Sequence, residues 1–196
     1  MPTNAKPKTK RGMERRAKIL AAAEQVIGEK GFTAASIADI TRAADTALGT
    51  FYIYFSGKDE VFRELVQDMG HATRSQATAH IAGATNRLEA ERAGLKAYLT
   101  VVRERPMQYR IVEEARFVDP EAYREYYSEF GKAYADQLDQ AANKGEISDG
   151  DAEIRAWALM GIAKTLGERF VLWEDDVDID RVVDEAHDFI CNGLAP

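Results

Sequence analysis

Apolar residues recur along this chain at three- and four-residue steps, and nowhere do four or more β-branched or aromatic residues alternate with polar ones between turn signals. That pattern predicts an all-α protein of about nine helices. A first helix runs from about Met13 to Lys30 with Ile19, Leu20, Ala23, Val26 and Ile27 on one face, and Gly31 is placed to close it. Ser36-Ile37-Ala38-Asp39 has the hydroxyl-then-acid spacing of a capping box and opens a short helix to about Ala43. Asp45-Thr46 reads as a turn, and a third short helix fits Ala47 to Tyr54. Ser56-Gly57-Lys58-Asp59 repeats the cap-plus-acid spacing before a long helix to about Ile81, with Val61, Phe62, Leu65, Val66 and Met69 inward. Further helices are expected at Asn86–Glu104, Met107–Phe117, Pro120–Asn143, Asp149–Trp173 and Asp178–Asn192, several bounded by proline or glycine.

Charge divides the chain. Net charge is −7 over 196 residues, yet residues 1–55 carry +4 and the remainder −11. A basic head on an acidic body suits a polyanion partner at one end only. The expected organisation is a flexible basic arm over residues 1–12, a small helical module over 13–56 and a larger helical body over 57–196. The composition, 45 % hydrophobic and 30 % charged, excludes disordered and collagen-like classes. A single cysteine, Cys191, rules out an intrachain disulfide, and three scattered histidines (His71, His80, His187) make a metal centre unexpected. No apolar run approaches a bilayer span and no secretory h-region follows the basic N-terminus, so a cytoplasmic protein without a cofactor is expected.

Residues 36–55 have the layout of a helix-turn-helix, a positioning helix followed by one small enough for the major groove. In Gly49-Thr50-Phe51-Tyr52-Ile53-Tyr54-Phe55 the two phenylalanines stand four apart and can fill the core, leaving Thr50, Tyr52 and Tyr54 to point elsewhere. Hydroxyls on a short helix suit phosphate contacts. Gly49 permits close backbone approach.

Ile19-Leu20-Ala21-Ala22-Ala23, Gly31-Phe32, Ser36-Ile37-Ala38-Asp39-Ile40, Ala44, Gly49 to Phe55, Lys58-Asp59-Glu60 and Val61-Phe62, ungapped from about Arg16 to Leu65, resemble the DNA-binding domain of the tetracycline-repressor (TetR) family. The resemblance implies an N-terminal three-helix DNA-binding domain, a helical ligand-binding domain, and a homodimer bound to a palindromic double-stranded operator and released by a small-molecule effector. It marks Tyr52, Tyr54 and Lys58 as phosphate contacts, Ser36 and Arg42 as backbone contacts, and Thr50 with the edge Thr46, Ala47 and Leu48 as the base-reading surface. This chain departs from the family pattern at Asp45 (often Gly), Ala47 (often a capping Ser or Thr) and Leu48 (often Lys), so Leu48 offers apolar contact at most, as with a thymine methyl.

The body is rich in aromatics. Tyr98, Tyr109, Phe117, Tyr123, Tyr127, Phe130 and Trp157 are candidate pocket residues for an apolar or aromatic effector, either plain core or cavity lining. Arg110 or Glu113 would hold a charged group, anionic or cationic respectively. Glu113 to Phe117, then Asp119-Pro120 and the tyrosine stripe, is similar to family members that sense fatty-acyl or aromatic CoA thioesters. Trp157, Gly161 and Ile162 on one helix and Ile179, Val183, Ala186 and Ile190 on the next are expected to form the dimer surface. A helical enzyme is the rival class, but adjacent carboxylates such as Glu113 and Glu114 diverge on a helix and no nucleophile elbow, P-loop or dinucleotide fingerprint is present. An architectural DNA-binding protein without effector leaves the aromatic body unexplained. The resemblance favours release by the effector over a requirement for a corepressor.

Overall fold

The computed structural model describes Pro7 and residues 9–194. Most of the expected basic arm (residues 1–6 and Lys8) lies outside the described residues. Among those described there are nine α-helices and no strand: α1 (Lys10–Lys30), α2 (Ile37–Ala43), α3 (Leu48–Tyr54), α4 (Lys58–Ile81), α5 (Arg87–Glu104), α6 (Pro106–Val118), α7 (Pro120–Asn143), α8 (Ala152–Leu166) and α9 (Ile179–Leu194).

Local chemistry sets most boundaries. Thr9 accepts from the Gly12 N–H at 3.2 Å and starts α1 three residues before the periodicity does. Gly31 closes it at φ 78°, a conformation that costs other residues a steric clash. At the start of α4, Glu60 rather than Asp59 accepts from the Ser56 backbone (2.5 Å) and hydroxyl (2.7 Å). The expected single helix Asp149–Trp173 is corrected in two ways. Asp151 accepts from the Ile154 N–H at 3.0 Å and begins α8 later, and the last turns widen into a π-helical segment, Gly167–Leu172. A Cβ on Gly167 would stand 3.2 Å from Tyr98 Cε1, so this segment starts where a bare backbone meets α5.

The chain forms two compact units, Met1–Met69 with Met107–Arg124, and Gly70–Pro106 with Glu125–Pro196. In the first, Ile19, Ile40, Phe51, Phe55, Val61 and Phe62 are fully buried. Glu114 of α6 fastens there: its two carboxylate oxygens accept from the Phe32 N–H at 2.8 and 2.9 Å. Gly28 of α1 admits Met107, whose Cβ would lie 2.7 Å from any Cβ placed on that glycine.

In the second unit Leu99, Leu138 and Val183 are fully buried. Beside them lies a buried polar network absent from the sequence reading. Arg87 Nε donates to Glu91 Oε1 at 2.6 Å and its Nη1 to Gln137 at 2.7 Å, while the Tyr134 hydroxyl donates to the other Glu91 oxygen. The apolar stripe of α9 faces α5, tied by Arg92–Asp184 at 2.5 Å and Lys96–Asp180 at 2.6 Å.

Candidate nucleic-acid interface

The capping box expected at Ser36 is complete. The Ser36 hydroxyl accepts from the Asp39 N–H at 3.1 Å, and the Asp39 carboxylate accepts from the Ser36 hydroxyl at 2.8 Å and backbone N–H at 3.3 Å. The Ser36 hydroxyl, with the Lys30 ammonium 3.1 Å away, holds the Asp39 carboxyl down at about 2 from its usual 3.8. A depressed carboxylate stabilises the fold above its unfolded value and loses that contribution as pH falls through the folded one. The Asp39 side-chain carbon resonance is therefore expected to titrate near pH 2, with the start of α2 loosening between pH 3.8 and 2; a midpoint near 3.8 contradicts this.

Between α2 and α3 the chain turns at Asp45, whose φ of 47° is left-handed, the conformation anticipated from the glycine usual there. Ala47 caps α3 without a side-chain hydrogen bond. Below α3, the rings of Phe51 and Phe55 lie 5.7 Å apart. The Arg16 guanidinium covers Phe55 at 4.6 Å while paired with Glu64.

Above the core, Leu48 is 52 %, Tyr52 51 % and Ile53 66 % exposed. Ala47 and Gly49 are exposed too, whereas Thr46, Thr50 and Tyr54 are half-buried. Ile53 escaped the sequence reading, although its place two residues from Phe51 puts it about 200° round the helix, on the outer face. Ser36 and Arg42 are exposed on α2, and the Arg42 guanidinium pairs with Asp39 at 3.0 Å. Lys58 stands at the start of α4 with its ammonium donating to the carbonyls of Phe32 and Ala35, the latter at 2.7 Å, over the Phe32 ring at 4.1 Å. Two of its three donors are thus engaged within the domain.

The candidate effector residues are distributed over both compact units. Tyr109, Arg110, Glu113, Phe117 and Tyr123 fall in the first unit, and Tyr98, Tyr127, Phe130 and Trp157 in the second. Phe117 is 83 % exposed, while Ile111 and Ala115 take the inner face of α6. Arg110 is exposed as well. In the second unit the Lys164 ammonium lies 5.3 Å over Tyr127, Phe130 packs on Tyr134 at 6.0 Å, and the Trp157 indole lies against Gly131.

The dimer candidates divide similarly. Ile179, Val183 and Ile190 are buried in the protomer and are corrected to core. Trp157, Gly161, Ile162 and Ala186 keep accessible surface. Ile162, Leu166, Phe170, Val182, Ala186 and Phe189, together with Arg181 and Glu185, line a largely apolar groove of about 290 Å³. Among the described residues, no helix is long and apolar enough to cross a membrane, and no cluster of three His, Cys, Asp or Glu is arranged for a metal.

Residues 19–65, the segment containing this interface, match the family model of bacterial regulatory proteins of the tetR family. The chain is 44 % identical over 66 residues to the uncharacterized HTH-type transcriptional regulator YvdT of Bacillus subtilis (strain 168), a match spanning 34 % of each protein. A second regulator of that organism, the uncharacterized YdgC, is 26 % identical over 83 % of this chain and 84 % of its own. A crystal structure of AibR in complex with isovaleryl coenzyme A and operator DNA superposes with a TM-score of 0.73 at 16 % identity, over 89 % of this chain and 97 % of that one. This last likeness is one of fold. The comparisons thus support a regulator of the tetR type: its helix-turn-helix lies in the segment that the tetR family model matches, and the rest of the chain shares the fold of such regulators.

Proposed function

We propose that the protein is a repressor that binds a palindromic operator as a homodimer and is released by a small apolar or aromatic effector carrying a charged group, such as an acyl coenzyme A thioester. The observation that carries the reading is α3: a short helix on a fully buried Phe51–Phe55 footing, with its opposite face open. In this reading Ser36, Arg42, Tyr52, Tyr54 and Lys58 position the phosphate backbone, and Thr46, Ala47, Leu48 and Thr50 read bases. Residues 13–56 form the DNA-reading domain. The rest of the chain binds effector and partner, with Met107–Arg124 packed in the same compact unit as the DNA-reading helices. Tyr98, Tyr109, Tyr123, Tyr127, Phe130 and Trp157, with Arg110 and Glu113, remain the effector candidates. The AibR complex supports a thioester effector. Selection from random-sequence duplexes by the ligand-free protein tests the function. It should enrich a palindrome whose half-sites are about 34–36 Å apart, and isovaleryl coenzyme A, the first probe, should release it. Failure to enrich any sequence at low salt overturns the reading.

The partner surface in this proposal is the groove between α8 and α9. Ile162 and Ala186 are among its apolar lining residues, and Arg181 and Glu185 provide opposite charges that a two-fold axis can pair. Phe189→Asp is expected to convert the dimer into a folded monomer of 21.8 kDa by light scattering, since Phe189 is 70 % exposed and holds no core. Val183→Asp should instead unfold the second unit, because Val183 is fully buried. An unchanged dimer mass for Phe189→Asp contradicts the placement.

A further inference from the structure

The ten residues from Thr46 to Phe55 contain no Arg, Lys, His, Asn, Gln, Asp or Glu. Those are the side chains that discriminate bases by paired or directional hydrogen bonds in the major groove. Hydroxyls remain, and three of the four residues that carry them, Thr46, Thr50 and Tyr54, are half-buried. The open arc of α3 runs through Leu48, Tyr52, Gly49 and Ile53, about 140° of the helix surface. It is apolar apart from one phenol. Leu48 and Ile53, 52 % and 66 % exposed, bound this arc on a helix of seven residues and make it one apolar patch with Tyr52 and Gly49.

Gly49 supplies a separate observation. Glycine weakens a helix interior, and here it is not needed by the fold, since a Cβ at this position would meet nothing within 4 Å. Its missing side chain leaves space on the outside, within the Leu48–Ile53 arc. Something external that approaches this backbone closely is the remaining physical use for it.

Resting on the reading of α3 as the base-reading helix, we infer that this regulator recognises its half-site through thymine 5-methyl groups, packed by Leu48 and Ile53 on either side of Gly49. The thymine methyl is the apolar group that a base pair presents in the major groove. Leu48 and Ile53 are thus specificity-determining residues, and each half-site carries at least two thymines at the positions they touch. Tyr52, between them on the arc, sets the depth of insertion from the phosphate side.

The test begins with the selected operator duplex. Each thymine in turn is replaced by deoxyuridine, which removes the methyl and leaves base pairing intact, and affinity is read by fluorescence anisotropy at one fixed salt concentration. At two positions per half-site the loss should be about fourfold for each methyl removed. Leu48→Ala should abolish the loss at one of them and Ile53→Ala at the other. Gly49→Ala should leave the melting temperature unchanged or raised, while weakening operator binding at least tenfold. A selected palindrome whose affinity ignores the methyls, or methyl losses that persist in both variants, overturns the inference and leaves the regulator reading standing. Unchanged operator affinity in Gly49→Ala overturns the close approach on which the geometry depends. Enrichment of no sequence removes both readings together.

Discussion

Glu91→Ala is expected to lower the stability of the second unit by about 3–5 kcal/mol, the usual cost of stranding one member of a buried ion pair. Arg87 and Glu91 are 8 % and 4 % exposed. Removing the carboxylate leaves the guanidinium with Gln137 and the Tyr134 ring, 5.2 Å below it, and neither neutralises a charge. The Tyr134 hydroxyl loses its acceptor as well. The pair itself need not be net stabilising, because desolvating both ions opposes their attraction. The double variant Arg87→Met, Glu91→Leu should therefore recover most of the loss. Urea denaturation at neutral pH separates these outcomes, and a single variant within 1 kcal/mol of the parent, or a double variant as weak as the single, contradicts the account. Burial, reinforced by the Glu91 charge, raises the Tyr134 phenol well above its usual 10.0. A raised folded value means stability fully present below pH 10 and lost as pH rises further.

Arg87 and Glu91 show where reading the sequence stops. Four apart on a helix, they look like a solvated surface pair, and only the packing of α7 and Glu146 around them makes them interior. The same limit explains α9. Its periodicity shows that Ile179, Val183 and Ile190 face something apolar, but a hydrophobic stripe carries no record of whether its cover is the same chain or a second copy. Features governed by neighbouring residues were legible: the Ser36–Asp39 box, the positive φ at Gly31 and Asp45, and the inward pairing of Phe51 with Phe55. The π-helical turn after Leu166 was not, since it depends on Gly167 meeting α5 from a distant part of the chain. Ile53 was accessible to the same geometry that placed Phe51 and was overlooked because apolar residues on a short helix are readily assigned to core.

Lys58→Ala is expected to cost the DNA-binding unit about 2 kcal/mol, the lower part of the range for two hydrogen bonds from a charged donor, reduced because the side chain is partly exposed. In a chain of this size that lowers the melting temperature by roughly 4–8 °C. The lysine joins three elements: its ammonium ties the Phe32 and Ala35 carbonyls, between α1 and α2, to the start of α4, and Glu114 holds the N–H of the same Phe32 residue. This geometry changes what the variant reports. A lysine contacting only phosphate would weaken DNA binding and leave melting unaltered, whereas a lysine acting only as an internal strut would lower melting and leave the salt dependence of binding alone. The proposed arrangement has the carbonyls orient the ammonium while its third N–H meets a phosphate, so both quantities should fall, the salt slope by about 1. Measured well below the melting transition, an unchanged slope with reduced stability would confine Lys58 to the strut. A reduced slope at unchanged stability would mean that its two carbonyl contacts are matched by water in the variant, with the buried core, the Phe32–Phe62 ring contact at 4.8 Å and the Arg16–Glu64 pair sufficing to hold the start of α4 in place.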